Sequence, residues 1–138
     1  NGESVPGTLV DTGALVAWFD RRDGEHQRVT AFFDGFRGRL LTAWPVLVET
    51  VHLLPTHVGV RFLQWVKNGG VTLHELPPAA IVPITAMVEK YSDAEMDVTD
   101  ASLVWLADQL RVFEIITTDA RHFRTYRTPS GRVLRNLI

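Results

Sequence analysis

The sequence predicts an α/β protein, a three-layer α/β/α sandwich around a central, mainly parallel sheet of about five strands. Two observations carry this. Short apolar runs alternate along the chain with longer segments whose apolar residues recur at helical spacing, the pattern of parallel strands joined by crossover helices. The chain has 138 residues, 46% of them apolar and 22% charged. That length suits one domain, which hides roughly two-thirds of its unfolded surface on folding. No repeat, linker or low-complexity tract divides it.

Each element follows from local pattern. Residues 8–10 read as a strand ending at Asp11, and residues 13–22 as a helix with Leu15, Val16, Trp18 and Phe19 apolar and Asp23-Gly24 as its stop. Phe32, Phe33, Phe36 and Leu40 mark a second helix, before a strand at 40–43 and a third helix with Pro45 in its first turn, where proline is tolerated. Residues 58–66 are apolar on most faces, which predicts a deeply buried helix or one at a subunit interface, ended by Asn68-Gly69-Gly70. A strand at 71–76 precedes a helix marked by Ile81, Ile84, Met87, Val88 and Tyr91, and a further helix spans 98–111. Residues 113–117 form a strand running into Thr118-Asp119, residues 120–126 a short helix, and Thr128-Pro129-Ser130-Gly131 a turn into a last strand at 133–138. The domain is read as 9–138. Residues 1–8, which open without methionine and hold Gly, Pro and Ser, are set aside as an N-terminal tail, part of it an expression remnant.

Composition excludes several chemistries. There is no cysteine, hence no disulfide framework, Cys-type zinc site, iron-sulfur cluster or thiol nucleophile, and a cytoplasmic location is expected. No apolar stretch reaches the roughly 18 residues that cross a bilayer, so no membrane role is expected. The net charge of −2 is unevenly spread: from Arg111 onward six arginines face only Glu114 and Asp119, whereas residues 89–100 carry five acids against Lys90. A role with nucleic acid must therefore rest on a local patch or on metal ions. The chain has no Gly-x-x-x-x-Gly-Lys, Gly-x-Gly-x-x-Gly or Gly-x-Ser-x-Gly motif.

In an open parallel sheet, ligands bind beyond the carboxyl ends of the strands. Asp11 follows the first predicted strand and Asp119 the fourth, so both project toward one crevice, and each is also placed to cap a helix. Glu49 lies in Val46-Leu47-Val48-Glu49-Thr50-Val51-His52-Leu53-Leu54, where a charge among apolar neighbours needs an arginine, a proton or a metal. His52 reads as a packed or solvent-edge histidine, because a Glu-x-x-His di-iron site needs a second such motif. Asp97 and Asp100 open the sixth helix on one face, Asp97 as its N-cap and Asp100 a turn further in. Four converging carboxylates, Asp11, Glu49, Asp100 and Asp119, repel one another, and a hard divalent cation relieves that repulsion.

These segments resemble a family. Leu9-Val10-Asp11-Thr12-Gly13-Ala14-Leu15, Leu41-Thr42-Ala43-Trp44-Pro45-Val46-Leu47-Val48-Glu49, Met96-Asp97-Val98-Thr99-Asp100-Ala101-Ser102-Leu103 and Ile116-Thr117-Thr118-Asp119-Ala120-Arg121-His122-Phe123, in this order, are similar to PIN domains of the VapC type found in toxin-antitoxin modules. The resemblance implies a PIN-like fold and an endoribonuclease dependent on Mg²⁺ or Mn²⁺, with Asp11, Glu49, Asp100 and Asp119 as catalytic and metal-holding residues and Thr12, Asp97 and Thr118 in support. It further implies products with a 5′-phosphate and a 3′-hydroxyl, an RNA substrate, a homodimer and a cognate antitoxin. Arg121, Arg124 and Arg127 are candidate contacts to flanking phosphates, beside their reading as a solvated helix face.

Two other classes account for parts of the sequence. A phosphoacceptor domain also uses an acidic crevice with Mg²⁺, but Asp11-Thr12-Gly13-Ala14 lacks the second Asp that an aspartate-nucleophile phosphatase needs, and neither Lys67 nor Lys90 follows a late strand as in a receiver. A non-catalytic RNA-binding or protein-interaction module accounts for the apolar helix at 58–66 and the basic C-terminal fifth, and leaves Glu49 unexplained.

Overall fold

Five parallel strands, β1 (Gly7–Val10), β2 (Arg39–Ala43), β3 (Thr72–His74), β4 (Glu114–Ile116) and β5 (Arg135–Asn136), form one sheet of order β3-β2-β1-β4-β5 in the computed structural model, which describes residues 7–138. Helices α1 (Thr12–Phe19), α2 (His26–Gly35), α3 (Trp44–Leu53), α4 (Thr56–Lys67), α5 (Ile81–Lys90), α6 (Val98–Leu110) and α7 (Ala120–Thr125) connect them. The result is the expected three-layer arrangement. The central strands are apolar on both sides: Leu9, Val10, Ile115 and Ile116 are all fully buried, as both faces of a parallel sheet must be. Leu9 pairs with Leu41 on one side and Ile115 on the other.

Strand order reverses beside β1. The chain steps outward through β2 to β3, then returns to the free side of β1 to lay down β4 and β5. A crevice therefore opens beyond the carboxyl ends of β1 and β4. The Thr42 hydroxyl donates to the Val10 carbonyl at 2.8 Å, tying β2 to the last residue of β1 just before Asp11.

An aromatic cluster joins α1, α2 and α4. Trp18 stacks on Phe33 with ring centroids 3.9 Å apart, and Trp65 meets both Trp18 and Phe19 edge-on. In α4, Val58 and Phe62 are buried while Val60 and Leu63 are exposed. This helix is packed along one face, so of the two readings, deep burial and a subunit interface, the first is corrected. Gly69 adopts φ +90°, a left-handed conformation that glycine enters without a Cβ penalty, at the stop read from the sequence.

Several boundaries differ from expectation. β1 begins at Gly7, so Gly7 and Thr8 belong to the sheet, paired with Arg39 and Leu40. The rest of the proposed tail, residues 1–6, lies outside the described residues. Helix α1 stops at Phe19 because the Asp20 carboxylate accepts from the Arg22 backbone N–H at 3.0 Å and from its guanidinium, turning the chain early. The strand expected at 40–43 is β2, one residue longer, whereas the run at 71–76 shows why short apolar runs mislead: β3 keeps only three residues.

The last strand is shorter still, a pair of residues where six were expected. Its ladder is extended by a side chain. Asn136 Oδ1 accepts from the Thr117 backbone N–H and Asn136 Nδ2 donates to the Thr117 carbonyl, both at 3.1 Å. Thr117 is fully buried, so both groups would otherwise lack partners. We expect Asn136→Ala to destabilise the protein by about 1–3 kcal/mol, the cost of leaving buried backbone polar groups unsatisfied. Urea unfolding monitored by circular dichroism measures this, and an unchanged midpoint would show that the clamp contributes nothing.

Candidate active site

A cavity of about 450 Å³ occupies the crevice beyond β1 and β4. All four predicted carboxylates, Asp11, Glu49, Asp100 and Asp119, line it, drawn from the β1–α1 junction, α3, α6 and the turn before α7. So do Thr12, Asp97 and Thr118. No helix of the described residues is long and apolar enough to cross a membrane.

Asp11 combines its two predicted roles. Its Oδ1 caps α1 by accepting from the Ala14 N–H at 3.0 Å, while its Oδ2 accepts the Thr117 hydroxyl. Burial pushes its carboxyl up to about 6, against the lowering effect of those two hydrogen bonds and with the help of the Asp119 and Glu49 charges. Asp100 is pushed higher, to about 7, chiefly by burial and then by Asp97; its Oδ2 accepts from the Tyr126 hydroxyl at 3.3 Å. Asp97 caps α6 by accepting from the Asp100 N–H at 2.8 Å, as the local pattern predicts.

Asp119 departs from the expected cap. It makes no capping bond to α7, and instead both its oxygens lie 2.8 Å from His122 Nδ1, which therefore carries the donated proton. Gly13 matters here for space: a Cβ on it would stand 2.8 Å from the Thr118 hydroxyl, so glycine lets the two walls of the cavity approach.

Glu49 is half-buried, not enclosed. Helical periodicity sends Val46, Leu47 and Thr50 into the core and leaves Val48 and Leu53 in solvent, so the apolar stretch around Glu49 did not mean burial. His52 is exposed, at the solvent edge and away from the acidic cavity. The arginines stay outside the cavity as well: Arg121, Arg124 and Arg127 are exposed on or after α7. Arg127 turns its guanidinium onto the carbonyls of Arg124, Thr125 and Tyr126 at 2.7–3.3 Å, capping the helix end.

Four supporting residues were not foreseen: Thr117, His122, Tyr126 and Asn136. Asp119 and His122 at i, i+3 on a short helix could have been found from spacing. Tyr126 reaches Asp100 across 26 positions of sequence, which no local pattern encodes. Asp23 and Glu95 also line the cavity, adding to its negative charge.

The donor chemistry suits a hard cation, since every candidate ligand is an oxygen. The Thr12 hydroxyl is buried and has no hydrogen-bond partner among the described residues, one more oxygen free for such a role. The carboxylates nonetheless line the cavity without closing: among the described residues no three His, Asp or Glu side chains gather tightly enough to hold a metal.

No family model matches the chain. Ribonuclease VapC26 of Mycobacterium tuberculosis is 33% identical over 127 residues, covering 89% of this chain and 94% of that protein. Among solved structures, M. tuberculosis VapC20, described as a sarcin-ricin loop cleaving toxin, superposes with a TM-score of 0.73 at 16% identity over 83% of this chain and 92% of its own. A toxin-antitoxin complex from Klebsiella pneumoniae gives a TM-score of 0.65 at 14% identity, covering 94% of this chain and 99% of that one. These structural likenesses carry the fold; the first relative, similar along nearly its whole length, carries the kinship, and the chain belongs to the VapC-type family of PIN-domain ribonuclease toxins.

Proposed function

We propose that this protein is a metal-dependent endoribonuclease, the toxin of a type II toxin-antitoxin module, which hydrolyses RNA phosphodiester bonds in the cavity bounded by Asp11, Glu49, Asp100 and Asp119. One observation carries the reading: four carboxylates from separate segments line one cavity at the point where strand order reverses, two of them holding protons toward neutral pH. The relative named a ribonuclease supports RNA as substrate, and the neighbour described as a toxin-antitoxin complex supports an antitoxin partner. Exposed Val60 and Leu63 on α4, with Ile81 and Val82 on α5, are apolar surface on which an antitoxin and a second copy of the chain would dock.

Mg²⁺ or Mn²⁺ would be held by Asp11 and Asp100, with Glu49 and Asp119, which do not crowd round one point, as further or water-mediated ligands and Thr12 beside them. When bound, the ion supplies positive charge to the carboxylates and the scissile phosphate, and lowers the pKa of an attacking water. The chain's own residues prepare that site. The Ala14 N–H and the Thr117 hydroxyl fix the two oxygens of Asp11, so its orientation is set before any ligand arrives. Tyr126 orients Asp100, and His122 orients Asp119 by spanning both its oxygens. Asp97, occupied as the α6 cap, contributes negative charge beside Asp100.

Cleavage of a mixed cellular RNA pool by the purified protein tests the activity. We expect discrete fragments with Mg²⁺ or Mn²⁺ and none with chelator, and a loss of at least about 100-fold in rate for Asp11→Asn or Asp100→Asn with the fold retained. An active Asp11→Asn protein would remove Asp11 from the site.

The raised carboxyls also fix a pH dependence of stability. The unfolded chain releases the Asp11 and Asp100 protons near the ordinary value of 3.8, the folded protein only near 6 and 7. The folded state binds more protons at these two groups across that window, so their contribution to metal-free stability is fully present below about pH 4 and is lost as pH rises toward 7. For buried Asp11 the loss is about 3 kcal/mol, and the melting temperature in chelator should drop between pH 5 and 8 and recover on adding Mg²⁺. Asp11→Asn keeps an acceptor for Ala14 and carries no charge, so at pH 8 in chelator it should melt above the wild type. A lower melting temperature would refute the penalty that burial, and then the Asp119 and Glu49 charges, place on the ionised carboxylate.

A further inference from the structure

A second cavity, about 950 Å³, lies at the carboxyl ends of β2 and β3, next to the acidic one. Trp44, Pro45, Val48 and Leu76 give it apolar walls, and Glu49, His52, Glu75 and Thr99 supply its polar lining. The two cavities share Glu49 and Thr99, so a group seated in this one abuts whatever the carboxylates hold.

Trp44 is the notable wall. It opens α3 directly after β2 and is 43% exposed, whereas Trp18 and Trp65 are committed to the aromatic cluster of the core. An indole face left open beside apolar side chains is a stacking surface for a planar ring. Glu49 and Glu75 disfavour phosphate at this spot, and Glu75 forms no salt bridge among the described residues. The chemistry that suits the cavity is therefore flat, uncharged and rich in N–H donors. Among the RNA bases, guanine presents two adjacent donors, N1–H and N2–H, to the two oxygens of one carboxylate. Adenine and cytosine set a ring-nitrogen lone pair beside their amino group, and uracil flanks its single N–H with carbonyls.

We propose that this cavity is a subsite for an unpaired guanine of the RNA substrate, stacked on Trp44 and read on its Watson–Crick edge by Glu75, next to the phosphate at the carboxylates. The proposal rests on the ribonuclease reading and names a specificity element for it.

Tryptophan fluorescence in chelator, where no cleavage occurs, tests the subsite with oligo-uridine hexamers carrying one central guanosine, adenosine or cytidine, or none. The guanosine hexamer should bind about tenfold more tightly than the other three, as a two-donor pair to a carboxylate implies. Trp44→Ala should abolish the quenching and the preference, Trp44→Phe should keep the preference, and Glu75→Gln should lose it while retaining weak binding. Equal binding of all four hexamers, or wild-type behaviour of Trp44→Ala and Glu75→Gln, would overturn the proposal. So would sedimentation equilibrium in which Trp44→Ala weakens self-association and leaves hexamer binding unchanged, which assigns the face to a second copy. The two readings fail separately. Guanine-selective binding without cleavage under any metal removes the nuclease and keeps the subsite, whereas cleavage by Glu75→Gln at wild-type positions keeps the nuclease and removes the subsite.

Discussion

The position of Asp11 constrains most of what surrounds it. It is the first residue after β1, almost fully buried, and it closes both a helix cap and a link to the strand on its other side through Thr117. A carboxylate so placed has lost its water, and nearby acids oppose its charge. The surrounding residues offset that cost. Asn136 clamps the Thr117 backbone, the Thr42 hydroxyl anchors the end of β1, and the open side of Asp11 is left facing a cavity.

The same crowding connects stability to function. A buried acid that must share space with other acids is a poor stabiliser of the empty protein and a good ligand for a cation, since the repulsion that weakens the fold is released when positive charge arrives. The hydrogen bonds from Thr117, Tyr126 and His122 leave this repulsion in place but set where each carboxylate points. Orientation comes from hydroxyl and imidazole donors, and no arginine or lysine pairs with these carboxylates among the described residues. An arginine in the same positions would have neutralised the site, and the arginines near it are instead on the outside of α7, where Arg127 serves a helix end.

Legibility differed from residue to residue for physical reasons. Asp11 and Asp119 were readable because a strand-to-helix junction is a local event, and parallel topology sends such junctions to one edge of the sheet. Asp97 was readable as a cap for the same reason. The apolar neighbours of Glu49 in sequence are not its surroundings in space: a helix distributes consecutive residues to different faces, and Glu49 is half-exposed on the cavity wall. The short strands were overextended because an apolar run specifies burial, whereas ladder length depends on the partner strand; at β5 an asparagine side chain takes over from the backbone.

The sequence by itself determined the α/β class, the order of elements and the family, and pointed to the four acids that line one cavity, since each of these is written in local periodicity and in short segments with fixed neighbours. Only the tertiary structure decided which groups hold those carboxylates and what lies beside them. Tyr126 meets Asp100 and Asn136 meets Thr117 because the sheet returns distant strands to one edge. The indole of Trp44 is left exposed beside the acidic cavity because β2 ends there and α3 turns away. Contacts of this kind arise from chain crossings, and local residue pattern carries no record of where the chain crosses itself.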